Sequence, residues 1–350
     1  MIRLQTKVDY PKSKIGITYD DNILILGSCF ADNIGDKMKQ AGFNVCVNPF
    51  GTLYNPVSIA NSLTRLKTGK RFTIKDCVQM GAGSNLICSF SHHTSFARAS
   101  EEEFLDNANA RLAEACEFYR NCNKIIITFG TAWVFRHIEQ DMIVSNCLKR
   151  NATEFVRERL TVDEITKLYT SILSTQEHCS NDTTNEPSCS NDSDNSNDYK
   201  GSNNTKVSNS NNSNNSNSKQ KQFIFTVSPI RHFKDGAHGN QVSKSTLLLA
   251  TDALINQTTL AYNPTINPST YNSTIKPDIA EYFPSYEIML DELRDYRFYA
   301  EDMIHPSDLA VKIIWERFCE WAIPAPLHDR ITREEKLFRQ SQHRPMHQDQ

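Results

Sequence analysis

The stretch Ile23-Leu24-Ile25-Leu26-Gly27-Ser28-Cys29-Phe30-Ala31 changes periodicity at its centre. Residues 23–26 form a continuous apolar run of the kind expected for a parallel strand buried on both faces, and Gly27 ends it with a residue that lets the backbone turn sharply. From Phe30 onward, apolar side chains recur at Ile34 and Met38. That i, i+4, i+8 spacing predicts a helix with one apolar stripe starting just after Ser28. Ser28 then stands at a strand's carboxyl end, beside free helical N–H groups that can hold an oxyanion.

Outward from this junction, further apolar runs occupy residues 124–129 and 223–227, separated by helix-like stretches at 104–119 and 162–173. Strand and helix alternate. The pattern predicts an α/β protein with three α/β/α layers, its mostly parallel sheet covered by helices on both faces. Sites in such sheets form at the carboxyl ends of the strands, where Ser28, Gly130 and Ser228 all fall.

Near the other end stands Asp302-Met303-Ile304-His305-Pro306-Ser307, followed from Leu309 by an amphipathic helical pattern. A serine hydroxyl is a weak nucleophile until an imidazole takes its proton and a carboxylate fixes the imidazole's tautomer. Ser28, His305 and Asp302 are therefore the candidate catalytic residues, with one loop carrying both acid and base. Cys29 is the alternative nucleophile, because a thiol at a helix N-terminus can become reactive. Against that, a free cysteine is more often a small buried hydrophobe.

These residues resemble the GSCFA family, named after the pentapeptide found here at 27–31, and beyond it the SGNH (GDSL-like) hydrolase superfamily. Other blocks carry the resemblance across roughly residues 1–325. They are Asn48-Pro49-Phe50-Gly51-Thr52-Leu53-Tyr54-Asn55-Pro56, Thr128-Phe129-Gly130-Thr131-Ala132, Ser228-Pro229-Ile230-Arg231-His232 and Tyr282-Phe283-Pro284-Ser285-Tyr286-Glu287. The resemblance implies a Ser-His-Asp esterase working through an acyl-enzyme on small acyl esters, O-acetyl groups on carbohydrate among them. It also implies that the Gly51 N–H joins that of Ser28 in the oxyanion hole. Gly130-Thr131 would stand where the superfamily has Gly-x-Asn-Asp. No asparagine follows Gly130 here, and no aspartate precedes Ser28. Thr131, His92, His93 or His232 would then shape the pocket or replace the missing donor, with structural hydrogen bonding as the alternative for the histidines. The same triad also fits a carbohydrate O-acyltransferase, and the fold without a working oxyanion hole fits a glycan- or partner-binding protein.

The 350 residues, 39% of them hydrophobic, suffice for one large core once the polar insert is set aside. Ten cysteines without CxxC pairs, no apolar stretch of membrane-spanning length and an N-terminus without a signal-peptide core lead to the expectation of a reduced cytoplasmic protein. A net charge of −3 with no basic stripe argues against nucleic acid and membrane partners and for a neutral or modest-sized substrate, which the resemblance narrows to a small-molecule or carbohydrate ester. No metal or organic cofactor is expected, since the triad and backbone donors suffice for the reaction.

The hydrolase-like domain is expected over residues 1–330. Within it, residues 180–218 are dominated by Asn and Ser with Val207 the only aliphatic side chain, which reads as a disordered insertion. Residues 263–272 read as a loop and 331–350 as a flexible tail.

Overall fold

The computed structural model describes residues 6–174, 220–260 and 279–342. The insertion at 180–218 and the polar patch at 263–272 lie outside the described residues. A five-stranded parallel sheet forms the centre. Strand β1 (Asn22–Gly27) is flanked by β2 (Asn44–Val47) and β5 (Lys124–Phe129), and β9 (Gln222–Val227) and β10 (Ala280–Tyr282) continue on the β5 side. The register pairs Ile25 with Ile126 and Ile126 with Ile224, so consecutive strands stack like with like.

Strand alternation divides the core in two. Leu24, Leu26, Ile125, Ile127, Phe223 and Phe225 face one layer, packed by α2 (Pro56–Thr68), α3 (Glu101–Asn121), α4 (Val162–Ser174) and α5 (Gly236–Leu260). Ile23, Ile25, Ile126 and Ile224 face the other, packed by α1 (Cys29–Gln40) and α7 (Asp308–Ala322). A short helix α6 (Ser285–Glu287) runs into a π-helical turn at Ile288–Glu292 that adds Ile288 and Met289 to this second layer. The chain is thus the three-layer α/β/α protein that its alternating pattern predicts.

Two features depart from the sequence reading. Between β5 and α4 the chain forms a separate antiparallel sheet of β6 (Trp133–His137), β7 (Met142–Val144) and β8 (Phe155–Arg159), in the order β7-β6-β8. A smaller antiparallel pair, β3 (Val78–Gln79) with β4 (Ile87–Cys88), lies between α2 and α3. In addition, the expected flexible tail at 331–350 is helical to Gln342, since α8 spans His328–Gln342. Ile331 is buried against α1 and α7, and the Trp315 Nε1–H donates to Glu335 at 3.0 Å. Buried apolar area and a satisfied indole hold a segment that is otherwise strongly polar.

Candidate active site

The elbow after β1 is built by sterics first. Gly27 has φ +144, and a Cβ there would lie 2.3 Å from the Thr128 carbonyl oxygen, so only glycine passes between β1 and β5. Its N–H donates to Asn48 Oδ1 at 2.8 Å, while Asn48 Nδ2 and Thr52 Oγ1 donate to Asp32 of α1. Burial pushes the Asp32 carboxyl up. The 48–55 segment is stapled in this way to both strand and helix, and Ser28 is left as the N-cap of α1, extended at φ −69 and ψ 177. Its Oγ accepts from the Phe30 N–H at 3.3 Å.

Ser28 is buried at the floor of a cavity of about 730 Å³. The carboxyl ends of three adjacent strands converge on it. The Ser28 N–H donates to Thr128 O at 3.3 Å, beyond the usual range and hence weak, and Ser228 N–H donates to Phe129 O at 2.8 Å. A Cβ on Gly130 would stand 3.4 Å from the Ser28 Cβ and 2.9 Å from the Tyr54 carbonyl oxygen. Gly130 therefore lets the β5 turn close onto the serine.

His305 lines the same cavity. Asp302 Oδ1 accepts the N–H groups of Ile304 and His305, both at 2.9 Å, and its Oδ2 lies 2.6 Å from His305 Nδ1. The intervening Met303 takes φ 57, which closes the turn. The His305 N–H, then its ring, then the Ile304 N–H hold the Asp302 carboxyl down at about 2. It thus stays ionised at neutral and mildly acidic pH, able to orient a neutral ring or steady a charged one. Ser307 caps α7 through the Ala310 N–H and fixes the far side of the loop. No hydrogen bond joins His305 to Ser28 in this structure, a separation that catalytic pairs often show without substrate.

The other predicted residues divide. Thr131 and His232 line the cavity with Ser28. The Thr131 hydroxyl lies 3.1 Å from Ser243 Oγ and accepts from the Trp133 N–H, so it is largely engaged. His232 leaves Nε2 without a partner, and burial, with Lys244 and His305 nearby, pushes its ring down to about 3, so it is neutral at pH 7. Gly51 and His92 do not line the cavity. The Gly51 N–H donates to Asn48 O at 2.8 Å, closing its own turn at φ +80, and is thereby withheld from an oxyanion. His92 is fully buried, its Nδ1 2.6 Å from Ser89 Oγ, with the Phe72 and Phe96 rings each 4.6 Å away. Burial pushes it down to about 3, as suits a neutral core histidine rather than a pocket residue. Cys29 also lines the cavity, with Sγ 3.3 Å from the Tyr54 hydroxyl.

Two site residues had no role assigned from sequence. Asn55 caps α2, its Oδ1 accepting from Ser58 N–H at 2.8 Å, and it lines the cavity with its Nδ2 at a loose 3.5 Å from Val144 O. An Asn-Pro pair signals a helix start, so the cap was legible while the cavity was not. Lys244 of α5 is fully buried, and its Nζ donates to Gly130 O at 2.6 Å and Ser228 O at 2.8 Å. It ties the β5 and β9 turns together under the site. Burial, only partly offset by Asp235, pushes Lys244 down to about 7.

Among the described residues no His, Cys, Asp and Glu cluster could hold a metal ion, and no helix is long and apolar enough to cross a membrane. Residues 22–184 and 200–318 match the model of the GSCFA family. No curated protein and no solved structure matches the chain.

Proposed function

This chain belongs to the GSCFA family, a membership suggestive of hydrolase chemistry, and from that premise we propose that it is a serine esterase acting on small acyl esters, with carbohydrate O-acetyl groups in that class. The observation that carries the reading is that His305, paired with Asp302 at 2.6 Å, lines the same cavity as Ser28 at the helix N-cap. His305 takes the Ser28 proton as Oγ bonds to the acyl carbon. The ester C–O bond breaks and the alcohol leaves with that proton. Water, deprotonated by His305, then attacks the acyl-enzyme to give the acid and free Ser28. Asp302 keeps the ring in the tautomer that presents Nε2 to these protons.

The oxyanion donors in this reading are the Ser28 N–H, whose bond to Thr128 O is weak, and Asn55 Nδ2, whose bond to Val144 O is weaker still. Both have little to give up. Asn55 here takes the place of the asparagine missing after Gly130. Asn55→Asp tests it, because aspartate keeps the helix cap but has no N–H to donate. Steady-state kinetics should show kcat down by about 100- to 1000-fold with the melting temperature held; unchanged kcat would remove Asn55 from the machinery.

The function itself is tested by reacting the purified protein with a fluorophosphonate probe and with p-nitrophenyl acetate. Covalent labelling and turnover, both lost in His305→Ala, are expected. An inert wild-type protein would favour a binding role on the same fold. Acylated glycan formed at the expense of free acid would make the chain an acyltransferase.

A further inference from the structure

The cavity is more cationic than the chain around it. Arg157, Arg231 and Lys234 line it against one lining carboxylate, Asp235, in a protein whose net charge is −3. Asp235 pairs with Arg157, which lies 4.2 Å over the Trp133 ring. Arg231 has no carboxylate partner among the described residues. One of its five N–H donors goes to the Met303 carbonyl at 3.1 Å, and its guanidinium lies 4.1 Å from the Phe233 ring centre and 4.9 Å from that of Tyr299. Stacking on two rings fixes the plane of the fork, which lowers the entropy lost when it grips a second planar group. The Arg231 backbone N–H also donates to Ile304 O at 3.1 Å, so this cation is anchored to the loop that carries His305.

We propose that Arg231 is an anion subsite and that the ester accepted at Ser28 carries an anionic oxygen group, a carboxylate or a phosphate, which the guanidinium binds through paired charge-assisted hydrogen bonds. The substrate class, though not the subsite, rests on the esterase reading above. A carboxylate and a phosphate present the same acceptor geometry to the fork, and the free anions tell them apart. The competing explanation is that Arg231 only positions the 299–306 loop. Loss of a positioning residue slows all esters alike, whereas loss of a subsite changes the preference between them.

The test compares the 4-nitrophenyl monoester of succinic acid, which bears a free carboxylate, with the same compound methylated at that carboxylate. Wild type should favour the anion in kcat/KM by at least about tenfold, mostly through KM, and Arg231→Met should bring the ratio close to one. Arg231→Lys, which keeps the charge without the planar fork, should retain part of the preference. Equal turnover of both esters by wild type, or equal losses on both in Arg231→Met, would overturn the inference. Calorimetric titration with monomethyl succinate and with methyl phosphate reads the subsite without chemistry. Binding of either that weakens at least tenfold in Arg231→Met supports it and shows which anion is preferred; binding of neither overturns it. If neither ester is turned over while anion binding still depends on Arg231, the esterase reading falls and the subsite stands.

Discussion

Ser28→Ala is expected to lower kcat on p-nitrophenyl acetate by about 10⁴-fold or more and to abolish fluorophosphonate labelling, while Cys29→Ala keeps both. The magnitude follows because, in the proposed reaction, the substitution removes the atom that bonds to the acyl carbon and leaves only binding and oxyanion donors to act on attack by water. Structural damage is an insufficient explanation for a loss of that size. Ser28 Oγ accepts a single bond, from Phe30 N–H at 3.3 Å, so its removal costs a helix cap worth about 1 kcal/mol. A chain this long would lose only a few degrees in melting temperature. The two variants discriminate because Ser28 and Cys29 line one cavity. Loss of labelling in Cys29→Ala with retention in Ser28→Ala would transfer the nucleophile to the thiol.

The second large effect is on stability. Lysine ordinarily loses its proton near pH 10.5, whereas burial pushes Lys244 down to about 7. Between those values the unfolded chain holds a proton that the folded chain has released, so folding becomes more favourable as pH rises. Each pH unit contributes up to about 1.4 kcal/mol, or roughly 2 kcal/mol between pH 7 and 8.5. Above about pH 9 the thiols of buried Cys88 and half-buried Cys46 and Cys147, pushed up to about 11, reverse the slope, because the folded state then holds the extra protons. His92 and His232, pushed down to about 3, act in the same sense as Lys244 but below pH 6.5, outside this window.

Urea unfolding across pH 6.5 to 9 is therefore expected to show wild-type stability climbing from about pH 7, and Lys244→Met to flatten that rise. At pH 7 the variant should also be less stable by a few kcal/mol, since the Gly130 and Ser228 carbonyls each lose a donor. A flat wild-type profile, or an unchanged slope in the variant, would show that Lys244 keeps its proton in the folded protein.

Local sequence patterns were enough for the residues that chemistry places close together in the chain. The 23–31 stretch gave strand, elbow and helix because each is a short-range consequence of apolar spacing and one glycine. The Asp302 to His305 turn was legible for the same reason, its hydrogen bonds spanning two and three residues. The antiparallel sheet at 133–159 was not, because its strands are short and partly exposed, with Phe135 and Val156 facing solvent. Their apolar spacing therefore carries no buried-strand signature. Lys244 escaped notice because a lysine in a helical segment reads as solvent-facing unless the carbonyls above it are known. Gly51 and His92 went the other way: motif position suggested a pocket, but a tight turn claimed the one N–H and an aromatic core enclosed the other ring.

By itself, then, the sequence determined the layer architecture, the elbow that presents Ser28 and the carboxylate that holds His305, all set by contacts within a few residues. Only the tertiary structure decided which distant groups share the cavity. Asn55, Arg231 and His232 arrive there through strand order and loop packing, Lys244 is buried beneath, and Gly51 and His92 are kept out. Burial and hydrogen-bond competition depend on neighbours that are remote in the chain, and no local spacing encodes them.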